Sequence, residues 1–167
     1  KFYTYQPAIV IIFQSSHKLL AAYNKLKPEA YSSLAANRLD LVGNIYQQLS
    51  TRLQAKVIYY NYTEINDAVF GNYAAKTESS FLFQVRKLNY ELMHFGLTHP
   101  DFFICDISSI QNQVGKNTFF QSSIYVNTEM VMSIEAIPEV AAKTVDLVKA
   151  QYGRFNKCLV LDLDNTL

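Results

Sequence analysis

Tryptophan is absent from the 167 residues, and cysteine, proline and glycine are sparse at 2, 4 and 5 copies. So little glycine and proline excludes a collagen-like or low-complexity chain. Two cysteines cannot build the disulfide framework of a small secreted scaffold. Cys105 and Cys158 each lie inside an apolar run, which predicts two separate buried thiols and suits a reducing cytoplasm. An excess of either charge is missing too: 15 Lys and Arg stand against 14 Asp and Glu, a formal charge of +1. That balance argues against nucleic acid or an anionic membrane as partner. The 12 Tyr and 11 Phe are scattered through apolar patterns and are not interleaved with basic residues, so they read as packing. The longest uninterrupted apolar run, residues 8–13, falls far short of the ~18 residues that span a bilayer. No secretory signal is visible, although a start at Lys1 without Met makes that weak evidence.

What is present is ordinary globular material, half hydrophobic and 17% charged, enough for one core. Four short runs read as strands buried on both faces: residues 8–13, 56–60, 102–106 and 157–162. Continuous rather than alternating apolarity is what a parallel sheet covered by helices requires. Helical patterns lie between them. Leu39, Val42, Tyr46, Leu49 and Leu53 share one face of a helix expected from about Glu29. Phe81, Val85, Leu88, Leu92 and Phe95 do the same, with Thr77 as the expected N-cap and Gly96 as the left-handed terminator. A third helix is expected over residues 136–152, with Pro138 in its first turn and Gly153 at its end. This alternation predicts a doubly wound α/β domain. Residues 107–133 show poor periodicity and should hold a short element, a binding loop or an edge excursion. The domain boundary is placed at Gly153-Arg-Phe-Asn156, which divides the chain into residues 1–153 and 154–167.

The last eleven residues carry the chemistry. An apolar strand runs into Asp162, followed by Asp164 and Thr166. Ligands of open α/β sheets bind beyond the carboxyl ends of strands, where these groups would emerge. Two carboxylates one residue apart can share a phosphate-sized space, one as nucleophile and hard ligand for Mg²⁺, the other as proton donor and acceptor.

The string Lys157-Cys-Leu-Val-Leu-Asp-Leu-Asp-Asn-Thr-Leu167 resembles motif one of the haloacid-dehalogenase superfamily, its FkbH-like branch in particular. The resemblance implies Asp162 as nucleophile and metal ligand. It implies Asp164 as general acid/base, lending its main-chain carbonyl to Mg²⁺, and Thr166 as part of the phosphate-side loop. The chain is then expected to be the front portion of a Mg²⁺-dependent phosphatase or phosphotransferase, inactive alone because the later motifs lie beyond Leu167. The strand before Asp162 would be the first of a Rossmann-like phosphatase domain. The family also implies a phosphorylated small-molecule substrate and an acyl carrier protein as partner.

The stretches Tyr5-Gln-Pro-Ala-Ile-Val-Ile-Ile-Phe-Gln-Ser-Ser-His-Lys-Leu19, Asn66-Asp-Ala-Val-Phe-Gly-Asn-Tyr73 and Leu88-Asn-Tyr-Glu-Leu92 resemble the domain preceding the phosphatase in FkbH-like proteins. That domain looks like the SGNH-hydrolase fold, a three-layer flavodoxin-like α/β/α sandwich with helices on both faces, here expected to lack its first strand. Its hydrolase residues do not carry over. There is no Gly-Asp-Ser block, Gln14-Ser-Ser-His17 stands where Gly-x-Asn-Asp should, and residues 107–136 contain no histidine. Two readings of Ser15, Ser16 and His17 stay open. They cap a turn and satisfy one another, or they form a binding edge with residues 61–73 and Asp106, itself either a site carboxylate or a cap. The front domain accordingly positions a substrate, carrier or partner; the alternatives are a pure interaction module and a divergent esterase.

Overall fold

The structure is a computed structural model that describes residues 2–65 and 67–154. After a short helix α1 (Phe2–Tyr5), three parallel strands, β1 (Ile9–Ile12), β2 (Lys56–Tyr60) and β3 (Phe102–Cys105), form a sheet in the order β1-β2-β3. Ile11 pairs with Ile58, and Ile58 with Phe103. The central strand is apolar along its length because it is covered twice: Val57, Ile58 and Tyr59 are all 0% exposed.

Successive side chains of a strand point to opposite faces, and β2 feeds two cores accordingly. Val57 and Tyr59 pack with Leu19, Val42, Leu88 and Phe102, which brings α2 (Ser16–Tyr23), α3 (Leu34–Leu53) and α4 (Phe81–Thr98) onto one face. Ile58 and Tyr60 pack with Ile107, Ile110, Phe119 and Val140. Those side chains come from α5 (Ile107–Val114), α6 (Lys116–Phe119) and α8 (Ile137–Gln151) on the other face; α7 (Ser122–Thr128) lies between α6 and α8 in the chain. The described residues form an α/β domain with a three-stranded parallel sheet flanked by helices.

Three local expectations change. Residues 28–33 form a 3-10 turn, so α3 begins at Leu34 rather than near Glu29, with Gln84 Oε1 accepting from Ala35 N at 3.0 Å. The N-cap of α4 is Ser80, not Thr77. Ser80 Oγ accepts from Phe83 N at 3.1 Å and donates to Ala74 O at 2.6 Å, while Thr77 donates to Tyr73 O and closes the preceding turn. Gly96 does not terminate α4; it is helical, with Phe102 O 3.6 Å from where a Cβ would stand. Gly153 does end α8, at φ +66, with Arg154 N donating back to Lys149 O at 2.9 Å. The aperiodic stretch 107–133 holds three short helices, and Gly115 at φ +89 makes the break between the first two. The fourth expected strand, residues 157–162, lies outside the described residues.

Candidate functional site

Parallel strands release their chains at one edge, so residues 13–17, 61–64 and 106 gather there. Amide side chains hold the three exits together. Asn61 Nδ2 donates to Asp106 Oδ1 at 2.7 Å, and Asn61 Oδ1 accepts from Ser108 N at 3.1 Å. Asn89 bonds Tyr62 twice, accepting from its N–H at 2.9 Å and donating to its C=O at 2.7 Å. Gln111 does the same to Glu64, at 2.9 and 3.1 Å. Beyond β2 the backbone at Tyr62 and Glu64 is therefore satisfied by side chains from helices on either side.

Gln14 is the hub of the exit from β1. Its Oε1 accepts from Tyr62 Oη at 2.9 Å, Tyr59 Oη at 3.2 Å and an Arg38 terminal nitrogen at 3.1 Å. The two phenols lie 2.7 Å apart. Both tyrosines are fully buried, and burial pushes both phenols above their ordinary pKa, so they stay protonated. Beside this hub opens a cleft of about 430 Å³ lined by Gln14, Ser15, Lys18, Arg38, Tyr62 and Glu129, with apolar walls from Phe13, Leu19 and Val131. Its size is that of a small-molecule site.

Val131 also lines a second cleft of about 280 Å³, with His17, Thr63, Glu64, Gln111 and Lys116. Glu64 is held there by Arg86 Nε at 2.6 Å and Lys116 Nζ at 2.8 Å. The Arg86 hydrogen bond and then Lys116 outweigh burial and keep its carboxyl below the ordinary range. His17 stacks on Phe120 and Tyr125, ring centroids 4.3 and 4.7 Å away, and burial lowers its imidazole pKa.

The expected edge residues occupy one sheet edge in separate roles. Ser15 Oγ caps α2 by accepting from Lys18 N at 3.2 Å, and Ser16 Oγ lies 3.1 Å from Thr63 Oγ1. Asp106 caps α5 by accepting from Ser109 N at 3.0 Å, and it lines another open cleft with Lys143 and Asp146. Among the described residues neither serine bonds His17, and no group of three His, Cys, Asp or Glu side chains could hold a metal ion. Cys105 is a buried free thiol raised in pKa by burial; Cys158, Asp162, Asp164 and Thr166 lie outside the described residues. No helix among the described residues is long and apolar enough to cross a membrane. Sequence reasoning missed the Gln14 hub and the Glu64 cluster. Gln14 was visible at a strand exit, but its partners stand 24, 45 and 48 residues away.

Fold and site together define a parallel α/β domain with ligand-sized clefts at its carboxyl edge. The chain belongs to the family of the FkbH N-terminal domain, whose model matches residues 1–149. Among solved structures it is similar to the N-terminal part of a Bacteroides fragilis protein containing a phosphatase domain, crystallised in complex with Mg. The two share 44% identity at a TM-score of 0.88, over 99% of this chain and 43% of the other, so this chain spans less than half of that one. No curated protein matches it.

Proposed function

We propose that this chain is the front part of a Mg²⁺-dependent phosphatase or phosphotransferase of the haloacid-dehalogenase type. One observation carries the reading: Leu161-Asp-Leu-Asp-Asn-Thr-Leu167 follows directly on a domain of the FkbH N-terminal family. The similar Bacteroides protein, which contains a phosphatase domain and was crystallised with Mg, supports it. Residues 1–153 are the front domain, and residues 154–167 lead into the phosphatase domain.

Asp162 attacks phosphorus, forming an acyl phosphate as the bond to the leaving oxygen breaks. Asp164 gives that oxygen its proton; water or an acceptor hydroxyl then attacks phosphorus, passing its proton to Asp164 as the bond to Asp162 breaks and frees its carboxylate. Thr166 completes the phosphate-side loop. The Asp162 carboxylate and the Asp164 carbonyl are hard oxygen donors that suit Mg²⁺, which when bound supplies charge neutralisation at the phosphoryl group.

The front domain is a flavodoxin-like, SGNH-type layered domain without hydrolase chemistry. Supporting this, the hydroxyl of Ser15 caps a helix, that of Ser16 is tied to Thr63, and His17 packs against the rings of Phe120 and Tyr125. Its role is to position a phosphorylated small molecule, an acyl carrier protein or both at the carboxyl edge, in the cytoplasm. The test is Mg²⁺-dependent hydrolysis of a chromogenic aryl phosphate by the intact longer protein. Asp162→Asn should lose turnover by about a thousandfold or more, as removal of a nucleophile does elsewhere. Unchanged turnover in that variant would sink the proposal.

A further inference from the structure

We propose that the cleft beside Gln14 is a binding site for the oxyanion end of a small ligand, a carboxylate or a phosphate, gripped by Lys18 and Arg38. This deepens the positioning role given to the front domain and rests on it for what the ligand is for. The binding chemistry itself depends only on described residues.

Two cations line one cleft of about 430 Å³. Among the described residues neither takes part in an ion pair. Glu129 lines the same cleft yet lies beyond ion-pair distance of both, so the wall carries one excess positive charge. Unpaired cations on an open protein surface are ordinary. What differs here is the support behind Arg38: one terminal nitrogen donates to Gln14 Oε1 at 3.1 Å, and that oxygen is fixed by two fully buried tyrosines. The guanidinium is thereby held by a rigid network and keeps its remaining donors for a ligand, the arrangement that favours planar recognition of carboxylate or phosphate.

Gln14 adds to the donor set. With three donors converging on Oε1, the carboxamide orientation is fixed, and its amino end has no acceptor among the hydrogen bonds of the described residues. The Lys18 ammonium adds a mobile charge on an exposed stem, and Phe13, Leu19 and Val131 give the cleft an apolar wall. Donors outnumber acceptors along the cleft. Glu129 is the exception, and its charge should weaken binding of the bare anion.

The experiment follows backbone and arginine side-chain NMR signals of the chain during titration with sodium phosphate, and separately with sodium acetate, at constant ionic strength. Saturable shifts confined to residues 13–19, Arg38 and Tyr62 are expected with either anion; the tighter of the two names the group. Lys18→Met should weaken binding about tenfold, the equivalent of about 1.4 kcal/mol. Glu129→Gln should tighten it severalfold, and Arg38→Lys should retain the Gln14 contact while weakening the grip. Linear, non-saturating shifts spread over exposed lysines, or unchanged affinity in Lys18→Met, would overturn the assignment. The positioning role is read separately, from phosphoryl transfer by the intact protein. Saturable binding with transfer untouched by Lys18→Met keeps the site and removes the role, whereas absent binding removes the site whatever transfer does.

Discussion

Gln14 carries more consequence than any other single side chain at the sheet edge, because one of its oxygens answers three donors. Replacing it with Leu leaves one buried phenol and a guanidinium short of an acceptor, since the two phenols still bond each other, at an expected cost of about 1–3 kcal/mol in a denaturant titration. Tyr62→Phe removes one donor and leaves the hub otherwise intact, so it should cost less than Gln14→Leu. Acid sensitivity also belongs to individual residues. Burial holds His17 below its ordinary value of 6.5, so the unfolded chain binds that proton first. Its share of stability is therefore complete above about pH 6.5 and drains as pH falls through the lowered folded value. Glu64, lowered from 4.5 by Arg86 and Lys116, follows the same sign at lower pH: its contribution is present above that value and lost as the carboxylate protonates. Unfolding midpoints measured from pH 7 to about pH 2 should fall in both windows. His17→Phe should flatten the first, Glu64→Gln the second.

Among the elements, those whose signal is local were legible. The strand expected over residues 56–60 is β2 to the residue, and the buried stripes of α3 and α4 fall on the expected positions. Boundaries failed where two local signals compete. Thr77 and Ser80 are both capping residues ahead of one apolar stripe, and the 3-10 turn at Gly71–Lys76 takes the first and leaves the second. Ser80→Ala should then cost about 1–2 kcal/mol, and Thr77→Ala about 0.5 kcal/mol or less, read as a shift in midpoint. Gly96 looked like a terminator, yet the helix runs on to Thr98. Its absent Cβ would meet Phe102 only at ordinary contact distance, so Gly96→Ala should stabilise by up to about 1 kcal/mol through helix propensity. A left-handed terminator would have been destabilised by the same change. The clefts were not legible at all, since they arise where the chain around Val131 meets the strand exits.

At the scale of the molecule, two cores grip one sheet, and the exits between them are locked by Asn61, Asn89 and Gln111 rather than by further strand pairing. A rigid edge of this kind suits a domain that presents something to a neighbour. The proposed chemistry lies instead at residues 162–166, which were readable because apolar run, paired aspartates and threonine are contiguous in sequence. The decisive measurement is made on the intact longer protein, quenched in acid during turnover of a radiolabelled phosphate ester and mapped by mass spectrometry. A hydroxylamine-labile phosphoryl group on Asp162, absent from Asp162→Asn, is the predicted result. Label on any other residue, or full turnover with position 162 changed to asparagine, would contradict it.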